Sequence, residues 1–277
     1  MVLHEYKPSL IVSEYIRTFR LVHYDYKSDG SLPIKAYPPR PEHCLSFYAR
    51  DFETVKYQNS GNMTGNLPTV LFGHQTEVTS RLVGNNFLLI QVVFKPGALY
   101  RLTGIPSNYL TNQYIDAETV FSKQIKSVNS KINDCISYTQ MIQEVECFLL
   151  NEIKRKSYDI HPLDVATTNL FKSNQIPSVD YLAKNSFQSI RHFERNFKNR
   201  MGISPKYFLK VMRFENAFRL RNKNSNLDWL SIAFNCGFYD YQHLSRVYKD
   251  LTGLSPNQFH KIDLNGPERI FGEADTY

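Results

Sequence analysis

The chain has 277 residues, of which 42% are hydrophobic and 21% are charged, a composition typical of folded proteins that excludes wholesale disorder. Lys and Arg number 33 against 26 Asp and Glu, giving a net charge of +7. The longest mainly apolar run, Phe87 to Phe94, is far too short for a membrane helix, and the N-terminus lacks the apolar core of a signal peptide. We therefore expect neither a membrane protein nor a secreted one, and about two domains.

The first 115 residues are predicted to be rich in β-strands. Aromatic and β-branched residues dominate 15–24, 44–49, 69–72 and 87–94, and turn-forming clusters such as 28–30, 59–62 and 84–86 separate these runs. Many short strands punctuated in this way indicate a barrel or sandwich, here a cupin-like barrel. Pro96-Gly97 ends the last strong strand and opens a short helix that closes near Gly104.

A helical period begins after this β-rich part. Asp116 is predicted to cap a helix, and a second helix follows from Tyr138 to a basic end at Lys154. Residues 116–160 are therefore interpreted as connecting helices that could also mediate oligomerisation. A linker over 157–162 precedes a wholly helical pattern from Asp164 to about Lys261. The predicted organisation is α+β, with domains at 1–115 and 161–262, and an acidic tail at 263–277.

The cysteines predict a reducing compartment. Cys44, Cys135, Cys147 and Cys236 are scattered without short pairs, which argues for free thiols in a cytoplasm and against a disulfide framework or a zinc ribbon.

The positive charge is concentrated in the helical half. Residues 1–160 carry a net charge of +2, whereas residues 161–261 carry +8. Within 184–223 there are 11 basic and 2 acidic side chains. This asymmetry fits a domain that faces a polyanion, although a solvated basic surface would have the same composition.

The helical half also contains an internal repeat. Residues 191–208 read RHFERNFKNRMGISPKYF, and residues 242–259 read QHLSRVYKDLTGLSPNQF, with Arg195 matching Arg246 and Gly202 matching Gly253 at an offset of 51. Each copy has the pattern of a short helix, a turn and a longer helix. Ile190, Phe193, Phe197 and Met201 are predicted to face inward in the first copy, and Tyr241, Leu244, Tyr248 and Leu251 in the second.

The outward faces of the longer helices combine hydrogen-bonding and basic groups, as reading of a DNA major groove requires. The residues predicted to face outward are Arg191, Glu194, Arg195 and Lys198 in the first copy, and Gln242, Ser245, Arg246 and Lys249 in the second. Ser189, Lys198, Asp240 and Lys249 are predicted to cap the helices or hold phosphates. Between the units, a linker helix over 204–223 would be roughly 30 Å long, close to the ~34 Å turn of a duplex.

These residues resemble the DNA-binding domain of AraC/XylS-type transcription regulators over about 164–261. The resemblance rests on Leu182-Ala183, the Gly202-to-Pro205 Gly-x-Ser-Pro, and Arg213-Phe214 with Ala217. It continues in Cys236-Gly237-Phe238 and in Gly253 with Ser255-Pro256. The resemblance implies a double helix-turn-helix fold whose base-reading positions are Arg191, Glu194, Arg195, Gln242, Ser245 and Arg246. The first turn departs from the pattern because Phe187 stands where members often carry Gly.

We therefore interpret the chain as a non-enzymatic, sequence-specific regulator of transcription that binds double-stranded DNA. The N-terminal domain would sense a small-molecule effector or form a homodimer, and RNA polymerase is a candidate partner. One alternative is a metal- or cysteine-dependent enzyme tethered to DNA, for which His43, Cys44 and His74 are the metal candidates. Another is an architectural DNA binder. The sequence has no P-loop, dinucleotide or Gly-x-Ser-x-Gly motif, and predicts no cofactor and no metal.

Overall fold

The structure, a computed structural model, describes residues 2–25, 35–155, 158–172 and 176–264. The predicted turn at 28–30 and the tail from 265 onward lie outside these residues. The described strands are β1 (Val2–Tyr6), β2 (Ile16–Asp25), β3 (Lys35–Tyr37), β4 (Cys44–Tyr48), β5 (Glu53–Tyr57), β6 (Met63–Gly65), β7 (Thr69–Phe72), β8 (Thr79–Val83), β9 (Asn86–Phe94) and β10 (Tyr114–Asp116). The described helices are α1 (Ala98–Thr103), α2 (Ile125–Asp134), α3 (Tyr138–Arg155), α4 (Pro162–Asn169), α5 (Val179–Asn185), α6 (Ile190–Met201), α7 (Pro205–Lys223), α8 (Trp229–Asn235), α9 (Tyr241–Thr252) and α10 (Pro256–Asp263).

Two antiparallel sheets form the N-terminal half, as the β-rich prediction requires. The first has the strand order β1-β2-β9-β4-β7-β10 and the second β3-β8-β5-β6. The four strands predicted from the sequence are β2, β4, β7 and β9, which lie together in the larger sheet. β2 and β9 pair along most of their length, from Ile16 opposite Phe94 to Asp25 opposite Asn86.

Successive side chains of the larger sheet point to opposite faces, and both faces are covered by a buried core. Phe19 and Phe47 pack against α2 and α3, in a core that includes Val145 and Phe148. Tyr24 and Tyr48 belong to a second cluster on the other face. The aromatic side chains of this sheet are therefore divided between two cores.

The start of the helical part differs from the prediction at Asp116. Residues 114–116 pair with β7 as β10, so Asp116 ends a strand. Its carboxylate accepts a hydrogen bond from the Glu118 N–H and caps only the 3-10 turn Ala117–Thr119, whereas α2 begins at Ile125. Asp116 therefore caps a short turn, as an N-cap residue in the extended conformation can, and the longer helix begins nine residues later.

Two cores form the C-terminal half, and α7 contributes to both. Phe208 and Met212 join the core around α5 and α6, whereas Phe214 and Phe218 join the core around α8 and α9. Pro205 begins α7 with Ser204 as the N-cap, as the sequence predicted. The linker helix thus spans both packed units, which fixes one relative to the other.

Candidate nucleic-acid interface

The repeat folds into two helix-turn-helix units, α5–α6 and α8–α9. Both longer helices have 12 residues. The Ser189 hydroxyl accepts from the His192 N–H, and the Asp240 carboxylate accepts from the His243 N–H at 2.6 Å. A left-handed glycine, Gly202 or Gly253, ends each helix. Capping thus gives α6 and α9 the same length and the same defined ends.

The inward faces follow the predicted pattern with two differences. Phe193 and Phe197 on α6, and Leu244 and Tyr248 on α9, are buried. Ile190 is half exposed, and Tyr241 is only partly buried. Both belong to the first turn of their helix, where fewer neighbouring turns cover the side chain.

The outward faces remain open to solvent. The exposed residues are Arg191, Glu194, Arg195 and Lys198 on α6, and Gln242, Arg246 and Lys249 on α9; Ser245 is partly buried. The Arg191–Glu194 pairing that the spacing allows is not formed, and within the described part of the chain neither Arg195 nor Arg246 has an acidic partner. Both arginines are therefore available to an external acceptor.

The turn of the first unit has a left-handed residue at Phe187, where the sequence departs from the family pattern of glycine. Phe187 has a φ of 55°, in the left-handed region, where the second turn has Gly237 at 74°. The aromatic ring is 90% exposed. The two turns therefore share a backbone conformation even though only one has the residue that favours it.

The C-terminal end of α6 docks on the N-terminal half, a contact that the sequence did not predict. The Ser107 hydroxyl donates to the Arg200 carbonyl at 2.9 Å, and the Thr111 hydroxyl donates to the Gly202 carbonyl at 2.9 Å. The Arg200 guanidinium forms a buried two-point ion pair with Asp164 of α4 and lies 4.7 Å from the centre of the Tyr100 ring. From the sequence alone, Arg200 cannot be distinguished from the other basic residues of its helix.

Two histidines are buried at the same junction. The rings of His43 and His74 are in contact in a tilted arrangement, with 4.5 Å between centroids and an interplanar angle of 54°, and Phe208 of α7 meets His74 edge-on at 5.5 Å. His74 Nδ1 donates to the Arg40 carbonyl at 3.0 Å. Burial lowers the pKa of His74 to about 4 and, together with repulsion from His74, holds the pKa of His43 well below its usual value.

The third metal candidate does not join these histidines. Cys44 packs in the cluster of Tyr24 and Tyr48, where its Sγ lies 3.8 Å from a Glu42 carboxylate oxygen. Burial and the Glu42 charge raise the pKa of the Cys44 thiol to about 12. Cys44 is therefore poorly suited to act as a thiolate nucleophile.

Among the described residues, the structure has no group of three or more His, Cys, Asp or Glu side chains arranged to hold a metal ion.

Comparison with known proteins identifies the repeat. Residues 182–262 match the model described as "Helix-turn-helix domain", and this segment is a helix-turn-helix domain of the AraC type. Over 83 residues the chain is 34% identical to an uncharacterised HTH-type transcriptional regulator of Haemophilus influenzae, which corresponds to 30% of this chain and 28% of that protein. It is 32% identical over 73 residues to the HTH-type transcriptional activator RhaS of Escherichia fergusonii, 26% of each chain. The chain thus spans about a quarter of the length of these relatives.

Solved structures to which the chain shows a similarity include ToxT from Vibrio cholerae O395. It has a TM-score of 0.48 and 10% identity, over 88% of this chain and 97% of that one. The DNA-binding domain of AdpA, solved in complex with a target DNA, has a TM-score of 0.35 and 24% identity over 38% of this chain and 95% of its own. Within its described ranges, the chain has no helix long and apolar enough to cross a membrane.

Proposed function

We propose that the chain is a sequence-specific regulator of transcription that inserts α6 and α9 into successive major-groove segments of double-stranded DNA. One observation carries the proposal. Two capped helices of equal length, in equivalent units, each expose an arginine at the equivalent position, Arg195 and Arg246, and neither arginine has an acidic partner among the described residues. An arginine in a major groove can donate two hydrogen bonds to a guanine edge. The two relatives named above, a transcriptional regulator and an activator, support the same function.

The finer assignment follows the two exposed faces. Arg191, Glu194 and Arg195 would read bases from α6, and Gln242, Ser245 and Arg246 from α9. Lys198 and Lys249, near the helix ends, would contact phosphates, while the capped N-termini set by Ser189 and Asp240 hold the register. The β-rich half, with its connecting helices, would sense an effector or mediate self-association, and RNA polymerase would be the partner at a promoter.

Selection of bound duplexes from a random pool tests the proposal, and a preferred sequence with two sub-sites is expected. Arg195→Ala and Arg246→Ala should each cost about 1–3 kcal/mol of binding free energy and relax the preference at one sub-site. Lys198→Ala should weaken binding to all sequences alike and reduce the salt slope by about one.

The outcomes separate base reading from phosphate contact. If Arg195→Ala or Arg246→Ala lowers affinity for every sequence equally, that arginine holds phosphates only. A chain that selects no sequence at all would reject the proposal as a whole.

A further inference from the structure

A basic cleft lies between the linker helix α7 and the second helix-turn-helix unit. It has a volume of ≈ 330 Å³ and is bounded by α7 on one side and α9 on the other. Lys206, Lys210 and Arg213 line it from α7, and His243 lines it from α9. None of these four residues belongs to the base-reading or phosphate-contacting sets assigned above.

Arg213 is the central cation of this cleft. Its Nε is buried without a hydrogen-bond partner, and within the described ranges its guanidinium has no acidic side chain beside it. Burial lowers the pKa of Arg213, and no acidic side chain among the described residues opposes this effect. A partly desolvated cation without a counter-ion is unfavourable in the free protein and is stabilised when an anion arrives.

The neighbouring lysines add to the charge of the cleft. Lys206 is exposed and, in the described part of the chain, forms no ion pair. Lys210 faces Asp250 of α9 at 3.6 Å, but the Asp250 side chain is 60% exposed, so solvent weakens the pair. Three cations against one solvated carboxylate leave the cleft with a net positive charge.

The position of the cleft indicates which anion would occupy it. His243 is next to Gln242 and one helical turn before Arg246, so the cleft borders the reading face of α9. Ser204, which also lines the cleft, is the N-cap of α7 and lies three residues after Met201, the last residue of α6. When two reading helices occupy successive major-groove segments, the duplex between them presents a minor groove flanked by phosphates to the linker helix.

We propose that this cleft binds a phosphodiester of the DNA backbone between the two major-groove segments. The proposal rests on the proposed function, since it needs α6 and α9 on one duplex. The phosphate oxygens would accept hydrogen bonds from Arg213 and lie close to Lys206, which would fix the spacing between the two units on DNA.

The test uses the full chain and a duplex from the selection experiment, with affinity measured by fluorescence anisotropy at 50 and 200 mM salt. For Arg213→Gln, we expect the loss of affinity between these salt concentrations to be about threefold smaller than for the wild type, because one counterion release disappears. Arg213→Lys, which keeps the charge, should retain most of the salt dependence. Lys206→Gln, at an exposed site, provides a second variant that leaves the packing intact.

Lys223→Gln is the matched control, because Lys223 is on the same helix but lines a different cleft with Phe171 and Arg219. Its salt dependence should equal that of the wild type. If Arg213→Gln and Lys206→Gln behave like this control while keeping their thermal stability, the proposal is overturned.

A neutral methylphosphonate at each phosphate between the sub-sites then locates the contact. It should weaken binding of the wild type at one position and have no further effect on Arg213→Gln. An equal loss for both proteins at every position would overturn the assignment.

Titration of the DNA-free protein with inorganic phosphate distinguishes the other source of such an anion. Arg213-dependent phosphate binding combined with unchanged DNA binding would make the cleft a small-anion site and overturn the proposal. A wild type that selects no sequence would reject the proposed function itself, whereas selection with an unchanged Arg213→Gln slope rejects only the cleft assignment.

Discussion

Phe187 holds a backbone conformation that costs a non-glycine residue about 1–2 kcal/mol. Its φ of 55° places it in the left-handed region, and Gly237 takes the same conformation in the second unit. The ring is almost fully exposed, so packing of the aromatic side chain does not offset the cost. The first turn is therefore strained relative to the second.

Replacement of Phe187 by Gly should stabilise the protein. The relieved strain exceeds the added chain entropy of glycine in the unfolded state, so the free energy of unfolding should rise by about 0.5–1 kcal/mol in urea denaturation. Phe187→Ala is the control, because it removes the ring but keeps Cβ, and it should leave stability nearly unchanged. A loss of stability in Phe187→Gly would show that the ring has a packing role.

At the scale of single elements, the strands that could be predicted from the sequence are those with many apolar, aromatic or β-branched residues in a row. β4, β7 and β9 are found because nearly all of their residues are buried, and β2 because aromatic and β-branched residues dominate it. β3, β6 and β10 have three residues each, too few to show a period, and each depends on pairing with another strand, which is β8, β5 and β7 respectively. At Asp116 the capping signal is correct, but the helix that it caps is a 3-10 turn of three residues.

The local features of the two helical units could be predicted from the sequence more fully than the contacts of these units with distant residues. Caps, inward faces and exposed arginines of α6 and α9 follow from local spacing, which is why they could be assigned in advance. The docking of Arg200 and Gly202 against Ser107 and Thr111 joins residues about 90 positions apart. No local pattern encodes such a contact. That Arg213 has no acidic side chain beside it in the described part of the chain likewise depends on how distant segments fold.

Across the whole molecule, the two equivalent glycines that end α6 and α9 have different surroundings. A Cβ on Gly202 would lie 2.8 Å from the Ser107 carbonyl oxygen of the N-terminal half. A Cβ on Gly253 would have no described atom within 4 Å. Both have positive φ, so both substitutions carry the same backbone strain.

Gly253→Ala should therefore cost about 1 kcal/mol, the left-handed backbone strain alone. Gly202→Ala should cost more and also separate the halves, because the clashing oxygen belongs to a backbone that cannot rotate away. Limited proteolysis and small-angle scattering of the two variants measure this. If the Gly202→Ala and Gly253→Ala variants are equally compact and equally stable, the junction accommodates the added Cβ without separating the two halves.

The buried histidines make the same junction sensitive to acid. The pKa of His74 is lowered to about 4 in the folded state, against an ordinary value of 6.5. Between these pH values the unfolded chain binds more protons, so stability should fall as the pH drops through this window. His74 alone should account for a loss of about 3 kcal/mol by pH 4.

Denaturant titrations at pH 7 and pH 4 measure this loss, and His74→Gln should reduce it. The carbonyl of Arg40 and the nearby Glu42 favour the protonated form and oppose the effect of burial. A stability that does not change between pH 7 and pH 4 would contradict the assignment of a neutral His74.

The duplicated units have unequal access to the β-rich half. α6 is held at its C-terminal end by side chains of that half, whereas the main packing partners of α9 are α7, α8 and α10. A rearrangement of the sheets would thus act on α6 at its own C-terminal end, whereas it would reach α9 through α7 or through the contact of α10 with β3. Under the function proposed above, the bases contacted by α6 would then respond more directly to such a rearrangement than those contacted by α9.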